Sequence, residues 1–240
     1  MSFINSQQNV GSLSYDEGLR RYMLQVFNLM FFGVALTGFV SMFAATSPAI
    51  MALMYNNTGL SGFGWLVTFS PLILSFVFSM GINKMSVMNA QMLFWLFAGV
   101  MGLSLSFIFK VYTGESIARV FFITSSIFGS MSIYGYATKR DLTSMGSFMI
   151  MGLFGVIIAS IVNMFLQSSG LNFALSVVSV LVFTGLTAYD TQKIKNIYQY
   201  SANGSSEIMA KSAIIAALSL YMDFINLFLS MLRLFGGRRN

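Results

Sequence analysis

The chain contains no cysteine and no histidine, and only seven of its 240 residues are acidic. Without cysteine there is no disulfide framework and no thiolate metal site. Without histidine the usual titrating group between about pH 5 and 8 is missing, and zinc chemistry loses its commonest ligand. A response to protons would have to run through carboxylates in unusual surroundings. Charge of either sign is scarce: 8% of residues are Asp, Glu, Lys or Arg, against about a quarter in soluble domains.

What fills the chain instead is apolar. The hydrophobic share is 56% and the mean hydropathy is +0.77, which makes this an integral membrane protein. Seven apolar stretches follow one another: Tyr22 to Ala45, Phe63 to Met80, Gln91 to Tyr112, Ala118 to Ala137, Gly146 to Leu166, Phe173 to Tyr189 and Ala213 to Phe235. Each is long enough, or nearly so, to cross a hydrocarbon core of about 30 Å as a helix. Short alternating strands, the mark of a membrane barrel, are not seen. Residues 1–20 are polar and lack the basic start, apolar core and cleavage site of a secretory signal, so they read as a flexible cytoplasmic tail. Residues 21–235 then form one transmembrane domain and 236–240 a short basic tail.

The net charge of +6 comes from basic residues scattered at segment ends. That is the pattern of topology determinants facing a lipid bilayer, and it argues against nucleic-acid binding. An N-terminus inside places Arg20, Arg21, Lys84, Lys139, Arg140, Lys193, Lys195 and Lys211 on the cytoplasmic side, as the positive-inside rule prefers. Seven full crossings then put Arg233, Arg238 and Arg239 outside, so the last segment is either re-entrant or spans with a polar face held inside the bundle; its length favours spanning. Turn and polar residues mark the connections, among them Asn56, Asn57 and Gly59, and the longest connection runs from Thr191 to Glu207 with Lys193, Lys195 and Gly204. Small residues four apart (Gly33, Thr37, Ser41; Ala98, Gly102, Ser106; Gly155, Ala159) read as helix-packing positions. Pro71 is placed to kink the second segment. Nothing points to a cofactor.

Two acids stand out. Asp190 ends the sixth apolar run and Asp223 lies in the middle of the seventh, where an ionised carboxylate costs roughly 2.5–3.5 kcal/mol on insertion scales. Ser212, Ser219, Asp223, Asn226 and Ser230 recur at helical spacing and form one polar stripe, which must face the bundle interior or water. Thr184, Thr187 and Asp190 give the sixth segment a polar edge of its own. The fold expected is an all-α membrane protein of seven transmembrane helices, six packed around a central C-terminal helix. If the two polar edges meet, the carboxylates share a site, and two such groups in low dielectric share a proton rather than both ionise. Asp190, three residues before Lys193, also fits an interfacial i, i+3 pair. Asp223 has no basic residue within reach on its own helix.

Around these residues, at Gly185-Leu-Thr-Ala-Tyr189-Asp190-Thr191-Gln192 and Ala217-Leu-Ser-Leu-Tyr221-Met-Asp223-Phe-Ile-Asn226-Leu-Phe228, the chain resembles the Bax inhibitor-1 family, and within it the bacterial inner-membrane branch. The likeness extends from about Tyr22 to Phe235 and includes Ile82-Asn-Lys-Met-Ser86 and Tyr134-Gly-Tyr-Ala-Thr-Lys-Arg-Asp141. It implies seven helices wrapped around the last one and a proton-sensitive calcium leak, with an aspartate pair matching Asp190 and Asp223 as the pH sensor and a weak calcium contact. It also implies cell-death suppression or, in bacteria, partnership with a membrane protease. Some relatives carry an arginine at the end of the second helix that latches onto the pair; Gly81 occupies that place here, and Lys84 is the candidate substitute. Thr187, Ser219 and Asn226 are the candidate supporting residues. A third reading, intramembrane aspartyl proteolysis, would need Gly-x-Gly before the second acid, and Ser219-Leu-Tyr-Met-Asp223 has none. The chain is read as a non-enzyme.

Overall fold

The computed structural model describes residues 2–56, 59–201 and 205–239, and the side chains of residues 1–15, 83 and 201 lie outside it. Asn57 and Gly204, two expected turn residues, are outside as well. The helices are α1 (Ser2–Thr46), α2 (Pro48–Met54), α3 (Gly62–Gly81), α4 (Val87–Ser104), α5 (Ile108–Val111), α6 (Gly114–Ala137), α7 (Thr143–Leu166), α8 (Ser169–Ser201) and α9 (Ser206–Phe235). Two two-residue strands, Tyr55–Asn56 and Gly59–Leu60, pair antiparallel between α2 and α3. Among the described residues seven helices are long and apolar enough to cross a membrane, with α4 and α5 forming one crossing. The tail expected over 1–20 takes helical backbone from Ser2, continuous with the first span, and Glu17 pairs with Arg21 at 2.5 Å.

Helix starts follow short polar residues that satisfy the orphan amides of the first turn. Ser61 accepts from Gly64 N, Ser86 from Asn89 N, Thr113 from Ser116 N and Ser205 from Ile208 N. Between α7 and α8, Gln167 turns the chain at φ 50° and Asn163 Oδ1 accepts from Ser168 N at 3.0 Å. Pro71 lies inside α3 without ending it. The carbonyl its ring cannot serve, Val67 O, accepts from Ser70 Oγ at 2.7 Å and from Ser104 Oγ of α4 at 3.4 Å. Side-chain hydroxyls thus replace the amide where no water can.

α9 is the axis. Sixty-seven per cent of its apolar window is buried, against 6% for α7. α1, α4, α6 and α8 pack directly on α9, while α3 leans mainly on α4 and α7 on α8. The helix is continuous to Phe235 and does not re-enter. Beyond it Arg239 N donates to Val111 O at 2.9 Å, Arg239 Nη1 to Phe109 O at 3.2 Å, and Gly237 N to Ser116 Oγ at 2.7 Å. Arg239 therefore sits on the last carbonyls of α5, which carry the negative end of that short helix. With seven crossings, Lys84 and Lys110 mark opposite membrane faces.

Two expectations need correcting. The sixth helix does not stop at Tyr189 but runs to Ser201, so most of the expected 191–207 connection is helical. Hydropathy ends where lysines begin, yet Ile194 and Tyr198 on the added turns are buried, and the Tyr198 ring lies tilted against Tyr22 of α1 at 5.4 Å between ring centroids. Second, the small-residue positions are not equivalent. On α1 and α4 they pack as expected: a Cβ on Gly102 would stand 2.7 Å from Thr37 O. Gly155 meets nothing within 4 Å and is exposed on the outer helix α7.

The α1–α4–α9 junction contains a buried relay. Tyr221 Oη donates to Thr37 Oγ1 at 2.7 Å, and Thr37 Oγ1 donates to Ala98 O at 2.8 Å. The Tyr221 ring lies edge-on to Phe94 and Phe97. Thr37→Val should destabilise by about 1–3 kcal/mol, because it leaves the phenol buried without its acceptor. Tyr221→Phe removes the donor while Thr37 keeps Ala98, so it should cost nearer the ~0.6 kcal/mol average of intramembrane hydrogen bonds. Unfolding of purified protein in detergent checks the order of the two.

Candidate functional site

Ser219 and Asp223 lie one turn apart on the buried face of α9, and Asp190 projects from α8 opposite them. Ser219 Oγ donates to Asp190 Oδ2 at 2.5 Å, tying the two helices together. Asp223 is 6% exposed, and its Oδ2 has no hydrogen-bond partner among the described residues. Its carboxyl is close enough to Asp190 for the two to interact directly. Correcting the length of α8 moves Asp190 from a helix end to the helix interior, level with the middle of α9.

Because α3 and α7 stand one layer out from α9, a cleft of about 710 Å³ is left between them, floored by α8 and α9. Asp190, Asp223, Ser219 and Asn226 all line it, with Tyr189 and Lys193 from α8 and Ser75 and Ser79 from α3. The lining ends at Asn226 on α9; toward the Lys110 face Leu227, Ser230, Met231 and Leu232 are buried. Ser230 turns back to Asn226 O and Ser212 bonds Tyr22, so the polar stripe is shared among three helices rather than spent on one site.

The other candidates fall apart from the pair. Thr187 is fully buried and donates to Phe183 O of its own helix at 2.7 Å. Lys84 is exposed beyond α3 and does not line the cleft, and Gly81 faces Met85. The cation that does line it is Lys193. Lys193 does not ion-pair with Asp190: its Nζ lies 5.9 Å from the Tyr189 ring centroid, and the ion pairs among the described residues are Glu17–Arg21, Glu115–Arg119 and Glu207–Lys211.

Gln192 was not singled out from spacing, yet it fastens the site's helix. Its Nε2 donates to Arg140 O at 2.7 Å and its Oε1 accepts from Leu142 N at 2.8 Å. The stretch Tyr134 to Asp141 is thereby clamped against Gly185 to Gln192, and Lys195 Nζ adds a bond to Tyr136 O. In the same loop Asp141, outside the spans, accepts from Thr143 Oγ1 and Thr143 N, and these bonds hold its carboxyl below the usual carboxylate range. The signal for Gln192 was its place inside the quoted motif.

The model of the family described as inhibitor of apoptosis-promoting Bax1 matches residues 19–240. The chain belongs to this Bax inhibitor-1 family. A protein of Rickettsia prowazekii is 52% identical over 227 residues, covering 95% of this chain and 94% of the relative. The inner membrane protein YbhL of Escherichia coli is 46% identical over 222 residues, covering 92% and 94%. A Caulobacter vibrioides protein is 40% identical over 232 residues, covering 95% and 92%. As a Bax inhibitor-1 family member the chain is a membrane protein matched along nearly its whole length, and the match includes both aspartate helices.

Proposed function

We propose that this Bax inhibitor-1 family protein is a proton-sensitive calcium leak of the bacterial inner membrane, with its N-terminus cytoplasmic, gated at Asp190 and Asp223. The observation that carries the reading is the placement of a buried carboxyl, Asp223, beside a second one on a cleft lined from Ile82 and Lys193 to Asn226. While the pair shares a proton, the α8–α9 seam stays shut. Loss of that proton leaves two repelling charges, which favour separation of the helices or entry of a cation between the oxygens.

Calcium suits the donors. Asp190, Asp223, Ser219 and Asn226 offer carboxylate, hydroxyl and amide oxygens, but fewer than the six to eight of a tight site. Among the described residues no three acids gather, and weak binding is what conduction requires. A second cavity of about 670 Å³ opens on the Lys110 face, lined by Leu229, Leu232 and Arg233 one to two turns beyond Asn226. On α9, Leu227 and Phe228 lie between the last residue of the cleft and the first of the cavity. No step asks for a catalytic group, and Lys193 is the one cation among the described residues lining the cleft.

The test is calcium flux into proteoliposomes against pH. Flux that rises with pH supports the proposal. Protein that passes no calcium at any pH but co-purifies with a membrane protease would replace it with a regulatory role through membrane partners.

A further inference from the structure

α1 and α6 both pack on α9 but leave a groove between themselves, away from the aspartate cleft on the other side of the bundle. It encloses about 820 Å³. Its walls are Met30, Phe31 and Val34 on one side and Phe121 and Phe128 on the other, with Phe224 of α9 as floor. Arg20 on α1 and Tyr136 on α6 close the end nearest the Lys84 face. From Arg20 to Val34 the groove follows helix for about 21 Å, which exceeds one leaflet's half of the ~30 Å hydrocarbon core.

Its mouth is cationic and unmatched. Arg20 makes no ion pair among the described residues, and no carboxylate lines the groove. Lys195 reaches the same end, its Nζ 2.9 Å from Tyr136 O and 5.3 Å from the Tyr136 ring centroid. A purely apolar transmembrane helix of a partner would cover the walls but leave these cations without a counter-charge. One molecule answers both demands: an acyl chain for the walls and a phosphate for the mouth, the arrangement by which basic pockets between membrane helices hold anionic headgroups. We propose that the α1–α6 groove is a binding site for an anionic phospholipid, with one chain over Phe224 and the headgroup phosphate on Arg20 and Lys195.

Gly129 supplies a clean test. It lines the groove, and a Cβ there meets nothing within 4 Å, so Gly129→Leu should fill the groove with no clash at its Cβ. Purified protein would be examined by native mass spectrometry with phosphatidylglycerol or with phosphatidylcholine of the same chains, with and without excess inorganic phosphate. Wild type should retain phosphatidylglycerol preferentially. Arg20→Gln should reduce that preference about fivefold, the usual worth of one basic residue at an anionic surface. Gly129→Leu should lose both lipids while unfolding at the wild-type temperature, and free phosphate should not compete. Equal retention of the two lipids, an unaffected Gly129→Leu protein, displacement by phosphate, or a dimer that Gly129→Leu dissolves would each overturn the assignment.

Discussion

Asp223→Asn should flatten the pH dependence of calcium flux while leaving a folded protein. If opening releases one proton, wild-type flux changes by up to about tenfold per pH unit through the transition, the limit set by linkage for a single proton. The variant should show no more than the drift of a protein-free vesicle. The amide keeps the shape of the carboxyl and fills the same buried place, so packing around α9 is preserved. What it removes is the exchangeable proton. The other titratable groups on the cleft are Asp190, Lys193 and Tyr189, all on α8, while α7 brings Ile150 and Leu153 and α3 brings serines and apolar side chains. Asp190→Asn should flatten the profile as well, because a shared proton needs two carboxyls. Asp141→Asn, an exposed acid in the α6–α7 loop, should leave the profile intact. Flux through Asp223→Asn protein that still follows pH as in wild type would sink the aspartate-pair gate.

The two acids were legible for different reasons. Asp223 announces itself energetically: a carboxylate in mid-span with no basic neighbour has to be enclosed, and the stripe from Ser212 to Ser230 says which face encloses it. Asp190 was harder, because hydropathy measures contact with lipid and stops at Tyr189, whereas the helix continues on Gln192, Lys193 and Lys195 and is held by buried Ile194 and Tyr198. An i, i+3 lysine is visible in any sequence. That Lys193 instead lies over Tyr189 depends on a rotamer the sequence does not specify. The layering of α3 and α7 outside the first ring was also out of reach, since an apolar helix looks the same whether its neighbours are lipid or protein. That layering is what leaves the cleft.

Small residues show the same limit most sharply, and they give the largest stability effect expected here. Gly155 sits in a four-residue repeat with Ala159, yet a Cβ there meets nothing; Gly135, outside any repeat singled out, packs directly on the backbone of α8 near the site. A Cβ on Gly135 would lie 2.2 Å from Ala188 O and 2.9 Å from Ala188 C. Those are backbone atoms of α8 two residues before Asp190, so no side-chain rotation relieves the clash. Gly135→Leu must push α6 off α8, break the Gln192 clamp on the α6–α7 loop and displace Asp190 from Ser219. It should cost roughly 3 kcal/mol or more, the upper range of overpacking in a tight core, seen as loss of monodisperse protein on detergent extraction or a steep fall in unfolding temperature. Gly135→Ala should fold less stably and show a shifted flux profile, because the site's helix moves even when the bundle survives. Gly155→Leu, facing lipid, should change stability by no more than about 0.5 kcal/mol, as surface substitutions do. If Gly135→Leu proved as stable as Gly155→Leu, the α6–α8 contact that positions Asp190 would have to be redrawn.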